Sequence, residues 1–250
     1  MNAKVVIETE ALTKTYDGQT AVDDLTFKVA EGEIFGFLGP NGAGKTTTLL
    51  MLLGLTEPTS GNVRVLDLDP TRDPVKVKRM IGYLQENMGF YGDLNARQML
   101  KFVADLNALP AEVAAERIDA ALQTVGLNAE AQKKISAYSR GMRQRLGIAE
   151  LLIKDPKIAF LDEPTLGLDP DATNRMIELI EQLCHEKSMT VLLSSHMLHQ
   201  VQKICHRVGI MIKGKMVSQG PMEQLAKEKL GVGQEKYTLE EIYMKYFQEI

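Results

Sequence analysis

Residues 39–47 read GPNGAGKTT, and this stretch restricts the possible folds of the chain more than any other. It fits the pattern G-x-x-x-x-G-K-[ST]. Residues 33–38 before it are a mostly apolar run of strand length, and residues 46–55 after it are compatible with a helix. A strand that leads into a glycine loop and then into a helix is the context in which this pattern binds phosphate. A plain glycine-rich turn is the alternative, but the sequence favours an α/β fold with a phosphate-binding loop.

The residue types in this loop suit the binding of a nucleotide triphosphate. Glycines such as Gly39 and Gly44 let the backbone bend, so that successive N–H groups can point at phosphate oxygens. The N-terminus of the following helix adds a partial positive charge. Lys45 can reach the β- and γ-phosphates, and Thr46 can offer its hydroxyl to Mg²⁺.

Composition excludes several other classes of protein. The 250 residues are 44% hydrophobic and 25% charged, which is typical of a folded soluble core. The net charge of −4 argues against a primary nucleic-acid binder. The longest apolar runs are far shorter than the roughly 20 residues of a membrane span, and the N-terminus does not resemble a secretory signal. Cys184 and Cys205 form no C-x-x-C pattern, so a reduced, cytosolic setting is expected.

The remaining sequence alternates strand and helix signals in an order typical of an α/β domain. Residues 5–12 and 21–29 read as strands around an Asp-Gly turn at 17–18, which predicts an N-terminal antiparallel hairpin. Helical spacing from about residue 93 to 153 predicts a helical insert between strands of the sheet. Further strands are predicted at residues 61–66, 80–85, 157–162, 190–195, 208–212 and 215–217.

Polar residues end several of these predicted strands. Asp162 and Glu163 end one unbroken apolar run, and His196 follows another, as in parallel strands that are buried on both faces. Asp162 suits Mg²⁺, directly or through water, and Glu163 suits the positioning of an attacking water. Gln85 ends a third strand and can bond a Mg²⁺-bound water. Taken singly, each residue also has an ordinary explanation, such as a carboxylate that caps a helix.

Residues 138–142 read YSRGM and stand directly before a helix-compatible segment. Ser139 fits the N-cap of that helix, and Gly141 lies in its first turn. Helix N-termini bind anions, which allows a contact with phosphate. A simple capped helix with a basic, solvated face explains the same residues.

Taken together and in this order, the motifs resemble those of the nucleotide-binding subunit of an ATP-binding-cassette (ABC) transporter, over residues 5–220. The fold implied is α/β: a P-loop NTPase core with a mostly parallel sheet and flanking helices, an N-terminal antiparallel β subdomain and an inserted α-helical subdomain. The resemblance places the ATPase domain at 1–221, with its core at 1–92 and 154–221 and its helical subdomain at 93–153. A C-terminal helical tail follows at 222–250.

The resemblance also implies ATP and Mg²⁺ as cofactors and a role for each matching residue. Residues 39–47 are similar to the Walker A motif, Gln85 to the Q-loop, residues 139–142 to the signature, and residues 158–163 to Walker B. The catalytic residues implied are Glu163, His196, Lys45 and Gln85. The nucleotide contacts implied are Tyr16, which would stack on adenine, and Gly39, Asn41, Gly42, Gly44, Lys45, Thr46, Thr47, Ser139, Gly141 and Asp169. The Mg²⁺ contacts implied are Thr46, Gln85 and Asp162.

In this family two ATPase subunits pack head to tail, so the resemblance implies a homodimer that forms on ATP binding. Ser139 and Gly141 of one subunit would then meet the γ-phosphate held by Lys45 of the other. The sequence departs from the usual LSGGQ signature, because Arg140 replaces the first glycine and Met142 replaces the glutamine. Variants of this type resemble those of subunits paired with ABC-2 type permeases, which predicts export.

The expected partner is an integral membrane permease on a separate chain, and no nucleic acid is expected. The subunit would be cytoplasmic and peripheral on the cytoplasmic face of the cell membrane. The apolar loop at residues 87–91 is a candidate docking surface, with core packing of Phe90 as the alternative. An accessory ABC ATPase of a soluble cofactor-assembly complex stays open as a second function. A regulatory module without turnover is a third, although Glu163 and His196 argue against it.

The C-terminal tail carries the pattern of an amphipathic helix. Thr238 and Glu241 form a capping pair ahead of the apolar positions. The apolar face is expected to pack on the catalytic domain of the same chain, with a contact to a partner as the alternative. Its members are Leu239, Ile242, Tyr243, Tyr246 and Phe247.

Overall fold

The computed structural model describes residues 4–230 and 238–248. The strands are β1 (Val5–Tyr16), β2 (Gln19–Ala30), β3 (Ile34–Leu38), β4 (Ser60–Val65), β5 (Ile81–Leu84), β6 (Ile158–Asp162), β7 (Thr190–Ser195), β8 (Arg207–Ile212) and β9 (Lys215–Gly220). The α-helices are α1 (Lys45–Leu52), α2 (Pro74–Met80), α3 (Ala96–Leu106), α4 (Ala111–Thr124), α5 (Arg140–Leu152), α6 (Pro170–Lys187), α7 (Leu198–Ile204), α8 (Met222–Leu230) and α9 (Leu239–Gln248).

The larger sheet is centred on β7 and β3, the latter being the strand that leads into the phosphate loop. Its strand order within the described residues is β5-β6-β7-β3-β8-β9. All neighbouring pairs are parallel except β8 and β9, which form an antiparallel hairpin. All residues of β3, β6 and β7 are buried, as expected for apolar strands covered on both faces. The carboxyl ends of β3, β5, β6 and β7 therefore meet at one edge, and the predicted α/β class is confirmed.

The predicted N-terminal hairpin is confirmed, and its two strands are longer than expected. β1 pairs with both β2 and β4 in a three-stranded antiparallel sheet. Phe27 of β2 packs against Phe35 and Phe37 of β3, with ring centroids 5.7 and 4.9 Å away. Aromatic pairs of this kind contribute about 0.5–1.5 kcal/mol beyond their buried area, so they fix the small sheet to the core.

The predicted helical insert forms between β5 and β6. Helix α3 begins with a capping box, in which the Gln98 N–H donates to Asn95 Oδ1 and the Asn95 N–H donates to Gln98 Oε1, both at 2.9 Å. Helices α3, α4 and α5 share one hydrophobic cluster that also includes residues of the sheet. Helix α5 is therefore anchored to the core while its N-terminus, which carries the signature residues, stays at the surface.

Gly147 lets the loop after β5 lie directly against helix α5. A Cβ atom at this position would lie 2.5 Å from Leu84 Cδ1 and 2.8 Å from Met88 Cε. Real Cβ atoms do not approach other atoms so closely, so the absence of a side chain is what lets Met88 lie on the helix. The loop that follows the strand and the signature helix are thus in direct van der Waals contact.

Helix α2 was not predicted, and it shortens the strand expected at residues 80–85. Met80 is the last residue of α2, and β5 begins at Ile81. The helix is only two turns long and buries a single hydrophobic residue, Val77. Two turns with one buried position give no repeat from which helical periodicity can be read.

The predicted amphipathic helix at the C-terminus is confirmed as α9, and it packs on the same chain. Its capping box is formed, since the Glu241 N–H donates to Thr238 Oγ1 and the Thr238 N–H donates to Glu241 Oε2. Leu239 and Ile242 are fully buried in the larger hydrophobic cluster. The Leu239 N–H also donates to Gln202 Oε1 at 2.9 Å, which ties α9 to α7. The side chain of Phe247 lies outside the described residues.

Candidate active site

A cavity of about 450 Å³ lies over the phosphate loop at the carboxyl edge of the sheet. Its walls come from the β1–β2 hairpin, from the phosphate loop and from the segments that follow β5 and β6. The predicted site residues that line it are Tyr16, Asn41, Gly42, Gly44, Lys45, Thr46, Thr47 and Glu163. Four further residues line it, although no sequence motif pointed to them: Gln19, Thr20, Ala21 and Glu86.

Gly44 shows why the loop needs glycine directly before α1. Its φ of 99° lies in the left-handed region, which residues with a side chain rarely adopt. A Cβ atom there would also lie 2.5 Å from the carbonyl oxygen of Ala21 in the neighbouring hairpin. Backbone angle and space therefore exclude a side chain together, and the N-terminus of α1 is left open toward the cavity.

Lys45 is buried and is held against the loop that it follows. Its Nζ donates to the carbonyl oxygens of Gly39 at 2.7 Å and Pro40 at 3.2 Å, and it lies 3.7 Å from Glu163 Oε1. Burial lowers the pKa of Lys45, while the charges of Glu163 and Asp162 raise it in opposition. The partners of Lys45 Nζ among the described residues are thus all oxygen atoms.

Asp162 is buried and is held by hydrogen bonds from neutral side chains of helix α1 and of neighbouring strands. Thr46 Oγ1 donates to Asp162 Oδ2 at 3.0 Å, and Ser194 Oγ donates to Asp162 Oδ1 at 2.5 Å. Burial raises the pKa of Tyr83 to about 12, helped by the charge of Asp162 and by the hydrogen bond between the two side chains. Ser194 lies within a predicted strand and Tyr83 within another, but neither had been assigned a role from the sequence.

Glu163 and His196 meet at the same edge of the sheet. His196 Nδ1 lies 3.0 Å from Glu163 Oε2, and the His196 N–H donates to the same oxygen at 3.4 Å. The Glu163 N–H donates to Ser194 Oγ at 3.2 Å, so the carboxylate is set at the strand end with a φ of 48°. A non-glycine residue in the left-handed region at a strand end is typical of functional sites.

Gln85 occupies a different position from the other proposed metal contacts. Its side chain is exposed, and it is not among the described residues that line the cavity. Glu86, the next residue, does line it. The chain therefore presents a carboxylate to the cavity where the sequence interpretation had placed an amide.

Ser139, Gly141 and Asp169 form a second group, outside the described lining of the cavity. Ser139 caps α5 by accepting from the Met142 N–H at 3.2 Å, and Asp169 caps α6 by accepting from the Ala172 N–H at 2.9 Å. The two helix ends are adjacent, because a Cβ atom at Gly141 would lie 3.0 Å from Ala172 Cβ.

Arg140 reaches from this helix end toward the loop before α6. A Cβ atom at Gly167 would lie 2.7 Å from Arg140 Nη1. The guanidinium group that replaces the first signature glycine therefore covers Gly167 of the same chain.

A second cavity, of about 490 Å³, lies between the loop after β5 and the start of α5. Its lining is Glu86, Asn87, Met88, Gly89, Arg140, Arg143 and Gln144. Gln144 is only 3% exposed, and its Oε1 accepts no hydrogen bond from the described residues. We refer to this second cavity as the loop cleft.

The aromatic residues that follow the loop cleft differ in their environment. Phe90 packs against the larger hydrophobic cluster, which agrees with core packing, the alternative to a docking role for this residue. Tyr91 is 61% exposed and meets Phe102 edge to face, with ring centroids 5.7 Å apart.

The site has the features of a P-loop ATPase. It combines a phosphate loop with a buried lysine, a hydroxyl paired with a carboxylate, and a glutamate–histidine pair at the edge of a parallel sheet. Residues 22–166 match the family model described as ABC transporter. The chain is 42% identical over 222 residues to the bacitracin transport ATP-binding protein BcrA of Bacillus licheniformis, covering 89% of this chain and 72% of that protein. This chain belongs to the ABC transporter family.

Solved structures agree with the family assignment. The ATP-binding subunit of an ABC transporter superimposes with a TM-score of 0.84 at 26% identity, covering 97% of this chain and 99% of that one. A dimeric ATP-binding cassette in a post-hydrolysis state, bound to ADP and phosphate, gives a TM-score of 0.76 at 25% identity over 86% of this chain and 98% of that one.

The chain is therefore an ATP-binding and ATP-hydrolysing subunit of the ABC transporter family. Among the helices of the described residues, none has both the length and the apolar character needed to span a membrane.

Proposed function

We propose that this chain hydrolyses Mg²⁺-bound ATP in the cavity over the phosphate loop and thereby powers export through its permease. It would act at the cytoplasmic face of the cell membrane, attached through that permease. The observation that carries the proposal is the meeting of Lys45, Asp162, Glu163 and His196 at one edge of the sheet. These residues come from the start of α1 and from the ends of β6 and β7, and a purely structural role would not require all of them there.

The phosphate loop would bind the triphosphate through its backbone N–H groups and the open N-terminus of α1. Lys45 would exchange its carbonyl partners for β- and γ-phosphate oxygens, which carry more charge. Tyr16 stands at the cavity, 43% exposed, with Lys14 Nζ 4.7 Å from its ring centroid. An exposed ring at this place suits stacking on adenine.

The hydroxyl of Thr46 and the carboxylate of Asp162 fit a Mg²⁺ ion. Their oxygen atoms are 3.0 Å apart. Thr46 lines the cavity, and Asp162 is a buried carboxylate without an ion pair to a described cation. Mg²⁺ is usually bound by one or two carboxylates together with phosphates of its substrate. When bound, the ion would neutralise charge on the phosphates.

Hydrolysis needs a water placed in line with the γ-phosphate, and Glu163 would hold it. Its Oε2 is already oriented by His196, whereas Oε1 faces Lys45. His196 would stabilise the γ-phosphate together with Lys45. The role first assigned to Gln85 would require its exposed side chain to turn inward.

Ser139, Gly141 and Asp169 would act on the nucleotide of a second subunit. They lie on two adjacent helix ends that do not line the cavity of their own chain. In a head-to-tail homodimer such ends would meet the γ-phosphate held by the other subunit. The helical subdomain at 93–153 and the core at 1–92 and 154–221 would then move together as ATP is bound and hydrolysed.

The loop cleft would receive a cytoplasmic segment of the permease. Arg140 and Arg143 offer positive charge there, and the unpaired Oε1 of Gln144 offers a buried acceptor. A segment with a carboxylate and a free N–H group would satisfy both. Tyr91 and Phe102 form an exposed aromatic pair near this region that would add apolar contact.

Transport is favoured over an accessory role in a soluble assembly complex by the similarity to a transport ATP-binding protein across most of the chain. Export rests on the YSRGM signature, which resembles that of subunits paired with ABC-2 type permeases.

Replacing Glu163 by glutamine tests the proposed hydrolysis. The variant should bind ATP normally and lose most of its steady-state ATPase activity, because an amide is a far weaker acceptor for the attacking water. It should also accumulate as an ATP-bound dimer in size-exclusion chromatography. Glu178→Gln, an exposed site on α6, is the matched control and should behave as wild type. Turnover near the wild-type rate in Glu163→Gln would refute the assignment.

A further inference from the structure

Glu86 brings a second glutamate to the nucleotide cavity. It is half-buried in the segment after β5, and it lines the cavity together with Lys45, Thr46 and Glu163. It also lines the loop cleft, so its side chain stands in the wall between the two cavities. No motif in the sequence points to this residue, and the neighbouring Gln85 does not share its position.

The charge of Glu86 reaches the groups that surround the phosphate site. It raises the pKa of Lys45, against the larger effect of burial, and it raises the pKa of Tyr83, which is bonded to Asp162. Such coupling requires the carboxylate to be near both side chains, because charge interactions fall off with distance and with exposure to water.

The balance of charge around the cavity is negative before any ligand binds. Among the described residues that line the cavity, Lys45 is the only one with a basic side chain, whereas Glu86 and Glu163 carry acidic ones. Asp162 adds a third carboxylate through its bond to Thr46. A triphosphate without a cation would bring several further negative charges to the same place, whereas a divalent cation would cancel two of them.

We propose that Glu86 is a specificity-determining residue that makes nucleotide binding depend on a divalent cation. Its carboxylate opposes a metal-free triphosphate at the cavity wall and faces the cation when the metal–nucleotide complex is bound. An amide at this place would bind both forms more equally, since it carries no net charge. This inference rests on the proposed nucleotide site and adds to it a selection between ATP and Mg²⁺-bound ATP.

Binding measurements on the purified full chain separate this role from catalysis. The affinity for a non-hydrolysable ATP analogue is measured by isothermal titration calorimetry, once in excess EDTA and once in excess MgCl₂. For wild type, the dissociation constant should be much larger in EDTA. Glu86→Gln should tighten binding in EDTA and so reduce the ratio of the two constants by about tenfold, the effect expected of one nearby unit charge.

Two control variants distinguish position from net charge. Glu31→Gln removes a carboxylate at an exposed turn before β3, away from the cavity, and should leave the ratio unchanged. The double variant Glu86→Gln/Asn87→Glu keeps the net charge but moves it by one residue, to an exposed position that does not line the nucleotide cavity, and it should keep the reduced ratio. Thermal melting followed by circular dichroism should give all variants the wild-type transition, because each exchanges polar side chains of similar size and none removes a group from the hydrophobic core.

An unchanged ratio in Glu86→Gln, with normal binding in MgCl₂, would overturn the inference and leave the proposed function standing. The same reduction in Glu31→Gln, or a full return to the wild-type ratio in the double variant, would also overturn it, because net charge would then explain the effect. A wild-type chain that binds no nucleotide in either buffer would refute the proposed function and this inference together.

Discussion

Shortening Ile242 tests whether the C-terminal helix belongs to the fold of the single chain. Ile242 is 0% exposed and shares the larger hydrophobic cluster with Leu225 and Ala226 of α8. Ile242→Ala removes buried methyl and methylene groups and leaves a cavity behind. Substitutions of this kind cost about 2–5 kcal/mol, depending on how far the surroundings relax.

The expected loss is near the middle of this range, about 3 kcal/mol, because α9 packs on α7 and α8 and can shift toward them to fill part of the space. For chains of roughly 150–250 residues, each kcal/mol shifts Tm by about 2–4 °C. The variant should therefore melt about 6–12 °C below wild type in differential scanning calorimetry of the isolated subunit. Met244→Ala on the same helix is the control, because Met244 is 53% exposed and should change stability by less than about 0.5 kcal/mol.

A wild-type Tm in Ile242→Ala would refute this reasoning. If dimerisation or membrane association were lost at the same time, the apolar face of α9 would have to serve a partner. Truncation after Gly233 gives an independent check, since it should lower Tm at least as much as the single substitution.

Substitutions at three further positions test the site and the docking surface. Tyr16→Ala should weaken ATP binding several-fold in calorimetry, while Tyr16→Phe should match wild type, because the stacking ring is worth on the order of 1 kcal/mol and the hydroxyl adds little. An unchanged affinity in the alanine variant would make Tyr16 a turn residue. Ser194→Ala should lower kcat by at least about tenfold, since it removes the hydrogen bond that orients Asp162, worth about 1.5 kcal/mol, and also the hydroxyl that accepts from the Glu163 N–H. Wild-type kcat would show that Thr46 and Tyr83 suffice. Tyr91→Ser should keep basal ATPase activity and abolish co-purification with the permease. Lost basal activity with assembly preserved would place the docking surface elsewhere.

The local features of the fold followed from the sequence because neighbouring residues decide them. The strand, glycine loop and helix around Lys45 are contiguous, and the capping pair of Asn95 and Gln98 needs only a spacing of three residues. The apolar runs before Asp162 and His196 also predicted buried strands. Because parallel strands end at one edge, their polar residues could be expected to meet there.

Features that depend on distant residues did not follow. The contact of Ser194 with Asp162 depends on the pairing of β6 with β7, which no short motif specifies. The difference between Gln85 and Glu86 is a shift of one residue at the end of a strand. Such a shift changes which side chain faces the cavity, and pattern reading does not resolve it.

The close contact of Met88 with Gly147 restricts which substitutions this chain can accept at the two positions. The missing side chain at position 147 serves its neighbour and not its own backbone, which is helical. Any larger residue there would have to be accompanied by a smaller or displaced one at position 88. The two positions should therefore covary among relatives, and pairs that break this rule should be those in which the loop after β5 has a different path.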